Sequence, residues 1–129
     1  MGDTFEMSGD FRGAILNIKS TLTNVQQSVG DIPGGDDQAK EELRSLVGEL
    51  NDTLQRAPVE KEEDAVAVAQ TAETLIEQAK SEKPNKTMLK ITGEGLKQAA
   101  QNLAEVMPTV VTIATQIVMA VGRITAGRG

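Results

Sequence analysis

The chain has 129 residues and a net charge of −6 at pH 7, with a sequence pI near 4.7, which suits one domain with a single core. It contains no His, Cys, Trp or Tyr, and Phe5 and Phe11 are its only aromatic residues. That excludes His- or Cys-based catalysis, Cys/His zinc sites, haem ligation and disulfides, and leaves almost nothing to stack nucleobases. The acidic balance also argues against general nucleic-acid binding, which needs Lys and Arg in surplus facing phosphates.

Residues 1–19 read as non-helical. Thr4-Phe5-Glu6-Met7-Ser8 alternates with period two, and Ala14-Ile15-Leu16-Asn17-Ile18 is β-branched and apolar, with Gly9 to Gly13 between them. A short β-hairpin is the expectation. An isolated two-stranded hairpin is marginal in water, so it must cover one end of the domain or pair its open edges with other strands. Phe5, Met7, Phe11, Ile15, Leu16 and Ile18 are therefore the candidate self-association residues. Ser20 then opens a short helix, Thr21 to Val29, with Leu22, Val25 and Val29 on its inner face.

Residues 20–129 read as a helical bundle divided by three breaks: Gly30 to Asp37, Arg56-Ala57-Pro58, and Glu82-Lys83-Pro84-Asn85. From about Asp37 to Gln55, Leu43, Leu46, Val47, Leu50 and Leu54 share one helical stripe, with Asp36 and Asp37 available to cap it. From about Val59 to Ser81, Ala65, Val68, Ala69, Ala72, Leu75, Ile76 and Ala79 do the same, with Glu60, Glu62, Glu63 and Asp64 against the positive helix end. After Asn85, a plausible N-cap, Met88, Leu89, Thr92, Leu96, Ala99, Ala100, Leu103, Val106 and Met107 form a stripe interrupted by Gly93 and Gly95. These glycines mark a weak point or the close approach of another backbone. Pro108 kinks or restarts the helix, which continues to about Ile124. The fold class expected is mainly α, an antiparallel up-down bundle of about four helices with the last kinked at Pro108, all in one domain, 1–129, with 1–19 as its hairpin extension.

Residues 106–122 contain no charged side chain. Their 17 residues reach the low edge of a membrane span, about 17–25. Pro108, Gln116 and the Thr109, Thr112 and Thr115 row count against spanning and favour a core helix. In the alternative, Val110, Ile113, Ile117, Val118 and Val121 enter lipid or pack between helices, with Arg123 and Arg128 at headgroup level.

Charge is unevenly spread, with balances of −2, −3, −5 and +4 over residues 1–35, 36–56, 57–82 and 83–129. Helices of opposite sign packing in one bundle account for this; so does a basic surface, including Lys83, Lys86, Lys90 and Lys97, that meets an anionic lipid surface or an acidic partner. Lys83, Asn85 and Lys86 are a candidate anion site at a helix N-terminus, for which ordinary capping is the plainer reading. Gly93-Glu94-Gly95 does not make a nucleotide loop. The carboxylates fall outside the apolar stripes and read as a solvated surface. No cofactor, metal or small-molecule substrate is expected.

Gly9-Asp10-Phe11-Arg12-Gly13 and Ala14-Ile15-Leu16-Asn17-Ile18 resemble two consecutive pentapeptide repeats, with Phe11 and Leu16 as the inward central residues. Thr21 and Glu6 at the adjoining central positions end the pattern, and two repeats make only part of one coil. The same stretch is similar to short N-terminal motifs of bacterial immune receptors and effectors that pair in stacked β-arches. More broadly, Ser8-Gly9-Asp10-Phe11-Arg12-Gly13 ahead of a helical bundle resembles small bacterial modules associated with conflict systems and signalling NTPases or caspase-like proteins. That resemblance implies an adaptor or assembly role in signalling or defence and carries over no catalytic residue.

The functional expectation is a non-catalytic, homo-oligomeric or partner-binding interaction module, not an enzyme. The runner-up is a membrane-active effector whose residues 106–122 insert. No signal peptide is visible and cysteine is absent, so a cytoplasmic location is expected.

Overall fold

The computed structural model describes residues 13–126. The first helix, α1, spans Gly2–Ser28. Over the described residues its apolar side chains Ile15, Ile18, Leu22 and Val25 recur at spacings of three and four, and Ile18 and Leu22 are fully buried. Ala14 to Ile18, expected as the second strand, are therefore helical. The β-preference of Ile is a weak, context-dependent term. Burying an Ile side chain contributes about 1.5–3 kcal/mol, and only the helical spacing puts Ile15 and Ile18 on the side of Leu22. The rest of the expected hairpin, residues 4–12, lies outside the described residues.

α1 ends in a 3-10 turn, Val29–Asp31. Gly34 and Gly35 follow with φ of 75° and 69°, a left-handed conformation that glycine adopts without strain. Asp36 then caps α2 (Asp37–Leu54), its Oδ1 accepting from the Ala39 N–H at 2.7 Å. The stripe Leu43, Leu46, Val47, Leu50 and Leu54 is buried as expected. After Pro58 the chain winds through a 3-10 turn, Val59–Lys61, before α3 (Glu62–Ala79), whose Ala65, Val68, Ala69, Ala72, Leu75, Ile76 and Ala79 are all buried.

α4 covers Lys86–Gln101 and α5 covers Pro108–Ala126. The single helix kinked at Pro108 is thus two helices, and the described residues hold five rather than about four, with no strand among them. α4 is closed by tightening turns: the Leu103 N–H donates to Ala100 O at 2.9 Å and the Ala104 N–H to Gln101 O at 3.0 Å. Pro108 then occupies the first position of α5, where its missing N–H has no intrahelical partner to lose.

Cross-links between elements orient the helices. Gln55 Nε2 donates to Ile15 O, and Lys61 Nζ reaches Asn102 O, so residues 15, 55, 61 and 102 gather at one end. Gln26 bonds Arg44 O, and Arg123 pairs with Glu42, at the other. Consecutive helices therefore alternate in direction. α1 packs against α2 and α3, α3 against α4, and α5 fills the space between α4 and α2, closing a ring of helices. One consequence is that α1 and α3 are parallel neighbours inside an otherwise antiparallel bundle. A single apolar core runs through all five.

Candidate functional site

The expected self-association residues do not share one surface. Ile18 is buried, Ile15 is half-buried against the core, and Leu16 points outward with 61% of its surface exposed. Phe5, Met7 and Phe11 lie outside the described residues.

On α5, Val110, Ile113, Ile117 and Val121 are buried and Val118 is half-buried against α4, while Thr109, Thr112 and Gln116 face solvent. The polar row that argued against a membrane span is thus the outer face of a core helix. Thr115 satisfies its hydroxyl internally, donating to Val111 O at 2.9 Å. Among the described residues α5 alone is long and apolar enough to cross a membrane, with a mean hydropathy of 1.5 over an 18-residue window of which 44% is buried.

At the start of α4, Asn85 Oδ1 accepts from the Met88 N–H at 3.0 Å, so its cap function is occupied. Lys83 and Lys86 are exposed beside it. Lys97, by contrast, pairs with Glu94 at 3.4 Å, one of four i,i+3 pairs with Arg44–Glu41, Lys61–Asp64 and Lys80–Glu77. Such pairs contribute at most a few tenths of a kcal/mol each. Among the described residues no group of three or more carboxylates gathers as a metal site. Glu62 Oε2 and Gln78 Oε1 are buried without hydrogen-bond partners, but they lie near opposite ends of α3 and form no common site.

Sequence reasoning did not find the apolar groove of about 260 Å³ where the end of α5 diverges from the start of α4. Leu75, Leu89, Val118 and Val121 form its walls and Lys86 and Lys90 its rim. Two glycines shape it. A Cβ at Gly93 would sit 3.1 Å from Val118 Cγ1, so its absence lets α4 and α5 approach closely at mid-length. A Cβ at Gly122 would meet nothing within 4 Å, because that position opens on the groove.

No protein-family model, curated protein or solved structure matches the chain.

Proposed function

We propose that this chain is a non-catalytic interaction module, acting by contact between folded surfaces with further copies of itself or another protein. The observation that carries this reading is the set of large apolar side chains held at the surface between 45% and 61% exposed: Leu16 on α1, Val59, Met88 and Ile91 on α4, Val106, and Met119 on α5. Some of them lie close together. Met88 and Ile91 are one turn apart, and Val106 shares a surface groove with Pro58, the neighbour of Val59. Exposed apolar groups gathered in this way are typical of contact surfaces. The resemblance of Ser8 to Gly13 ahead of a bundle suggests an adaptor in a bacterial signalling or defence setting, in the cytoplasm. Native mass by light scattering across a hundredfold concentration range tests the reading. A mass that rises with concentration and falls back in Leu16→Asp or Ile91→Asp supports self-assembly; a constant monomer mass refutes it.

The mean hydropathy of α5 favours a second reading, insertion of residues 106–122 into lipid after the bundle opens. Liposome flotation and dye release test it, and neither binding nor leakage at high protein concentration refutes it.

A further inference from the structure

The uneven charge of the sequence becomes a surface at the start of α4. Between residues 83 and 126 the only carboxylates are Glu94 and Glu105, and Glu94 is paired with Lys97 at 3.4 Å. Lys83, Lys86 and Lys90 are exposed, and among the described residues none of them has a carboxylate within 4.0 Å, in contrast to Lys61, Lys80 and Lys97. Glu82 precedes Lys83 in the chain, so the excess rests chiefly on Lys86 and Lys90. Neighbouring elements do not cancel it. The flank of α3 beside α4, marked by Thr71 against Gly95, continues at helical spacing as Thr74 and Gln78. On the other side α5 contains no Asp or Glu, and its Val118 and Gly122 line the groove that Lys86 and Lys90 border.

Apolar side chains are interleaved with these lysines. Met88 and Ile91 are 45% and 59% exposed within the same two turns. Two features fit this patch to a bilayer rather than to a protein. Residues 83–107 contain no Arg, whereas protein contacts favour the fixed fork of Arg and are depleted in Lys. Lysine is a point charge on a flexible stem, which suits mobile headgroups of no fixed geometry while the stem covers apolar surface. Exposed Met and Ile between such lysines reach the boundary of headgroups and acyl chains. We infer that the folded domain docks on an anionic bilayer through the first two turns of α4, with Lys86 and Lys90 at the level of the phosphates and Met88 and Ile91 just beneath them. The net charge of −6 does not forbid this, because at physiological salt charges are screened beyond about 8 Å and the local sign decides. No residue of α5 leaves the core in this contact, which separates it from insertion of residues 106–122.

Co-sedimentation of the full-length chain with vesicles tests it. Binding is expected to vesicles of phosphatidylcholine containing one third phosphatidylserine, to fall as salt is raised, and to be absent with phosphatidylcholine alone. Lys86→Gln with Lys90→Gln is expected to weaken binding at least about tenfold, each lysine near an anionic surface contributing about fivefold. Met88→Ser with Ile91→Ser, which leaves every charge in place, is expected to weaken it at least about fivefold. All four side chains are exposed, so the helical circular dichroism and the urea midpoint of both variants should match wild type. Entrapped dye should stay inside the vesicles. Failure to bind phosphatidylserine vesicles at low ionic strength overturns the inference, as does undiminished binding by either variant. Binding accompanied by dye release assigns the lipid contact to α5 and also overturns it. Lysine neutralisation that lowers the native mass while vesicle binding persists assigns the patch to a protein contact, which overturns the inference and leaves the module reading standing.

Discussion

Gly93 and Gly35 show how single missing Cβ atoms position the helices around the groove and the α1–α2 loop. At Gly93 the nearest atom belongs to Val118, which is half-buried beside the groove and has room to shift by a few tenths of an ångström. Gly93→Ala is therefore expected to lie within about 1 kcal/mol of wild type, the helix-propensity gain offsetting the tighter contact, while Gly93→Leu costs about 1–3 kcal/mol through overpacking. Gly35 differs because both space and backbone oppose a side chain: its φ is +69° and a Cβ would lie 2.9 Å from Ile124 Cγ2. Gly35→Ala is expected to cost about 1–3 kcal/mol. Urea titrations read all three. Leu16 and Ile18, two residues apart, make a sharper pair: Leu16→Asp should leave the unfolding midpoint nearly unchanged, whereas Ile18→Asp places a carboxylate in the core and should unfold the domain. Gly93 was legible in the sequence as a weak point or the close approach of another backbone; what lies against it is the Val118 side chain. Gly122 was not, because an unremarkable glycine in an apolar run carries no sign that a groove opens beside it.

The elements were legible wherever apolar spacing and punctuation agreed. α2, α3 and the start of α4 lie within a few residues of their expected positions because Asp36, Pro58 and Asn85 mark beginnings that the leucine and alanine stripes continue. Two places misled. Ala14 to Ile18 have strand-like composition, and only the register with Leu22 and Val25, four and three residues farther along, reveals the helix. Asn17→Pro discriminates the two conformations: within α1 it should cost about 3 kcal/mol or more, read as a lowered denaturation midpoint, whereas an edge strand tolerates proline. Pro108 misled in the other direction, since the apolar stripe runs past it while the helix does not. Because it opens α5 rather than bending one long helix, Pro108→Ala is expected to change stability by less than about 1 kcal/mol and to leave the α4–α5 turn intact.

At the scale of the whole molecule, each of the five helices has two main neighbours, and α5 is the one that closes the ring. Its buried stripe closes the contact with α2 on one side and α4 on the other. Ile113→Asp should therefore abolish cooperative unfolding of the entire domain rather than fray one helix, because an unpaired core carboxylate and the lost packing together approach the about 5–15 kcal/mol that separates folded from unfolded states. The mainly α class followed from periodicity, but the number of helices, and the adjacency of α1 with α3 and of α2 with α5, did not. Short connections specify direction, not which helices become neighbours, and that choice is made by the shapes of alanine-rich and leucine-rich faces.

The placement of α5 also has a bearing on how the chain is made. During synthesis α2 and α4 exist before the helix that separates them, so their leucine stripes have no shared covering until residues 108–126 have left the ribosome. Partly made chains expose apolar surface and tend to aggregate. The segments made first carry balances of −2, −3 and −5, and the compensating +4 arrives only with α4 and α5. Mutual repulsion among nascent chains would thus be strongest just before the core can close, and would relax as the final helix locks it.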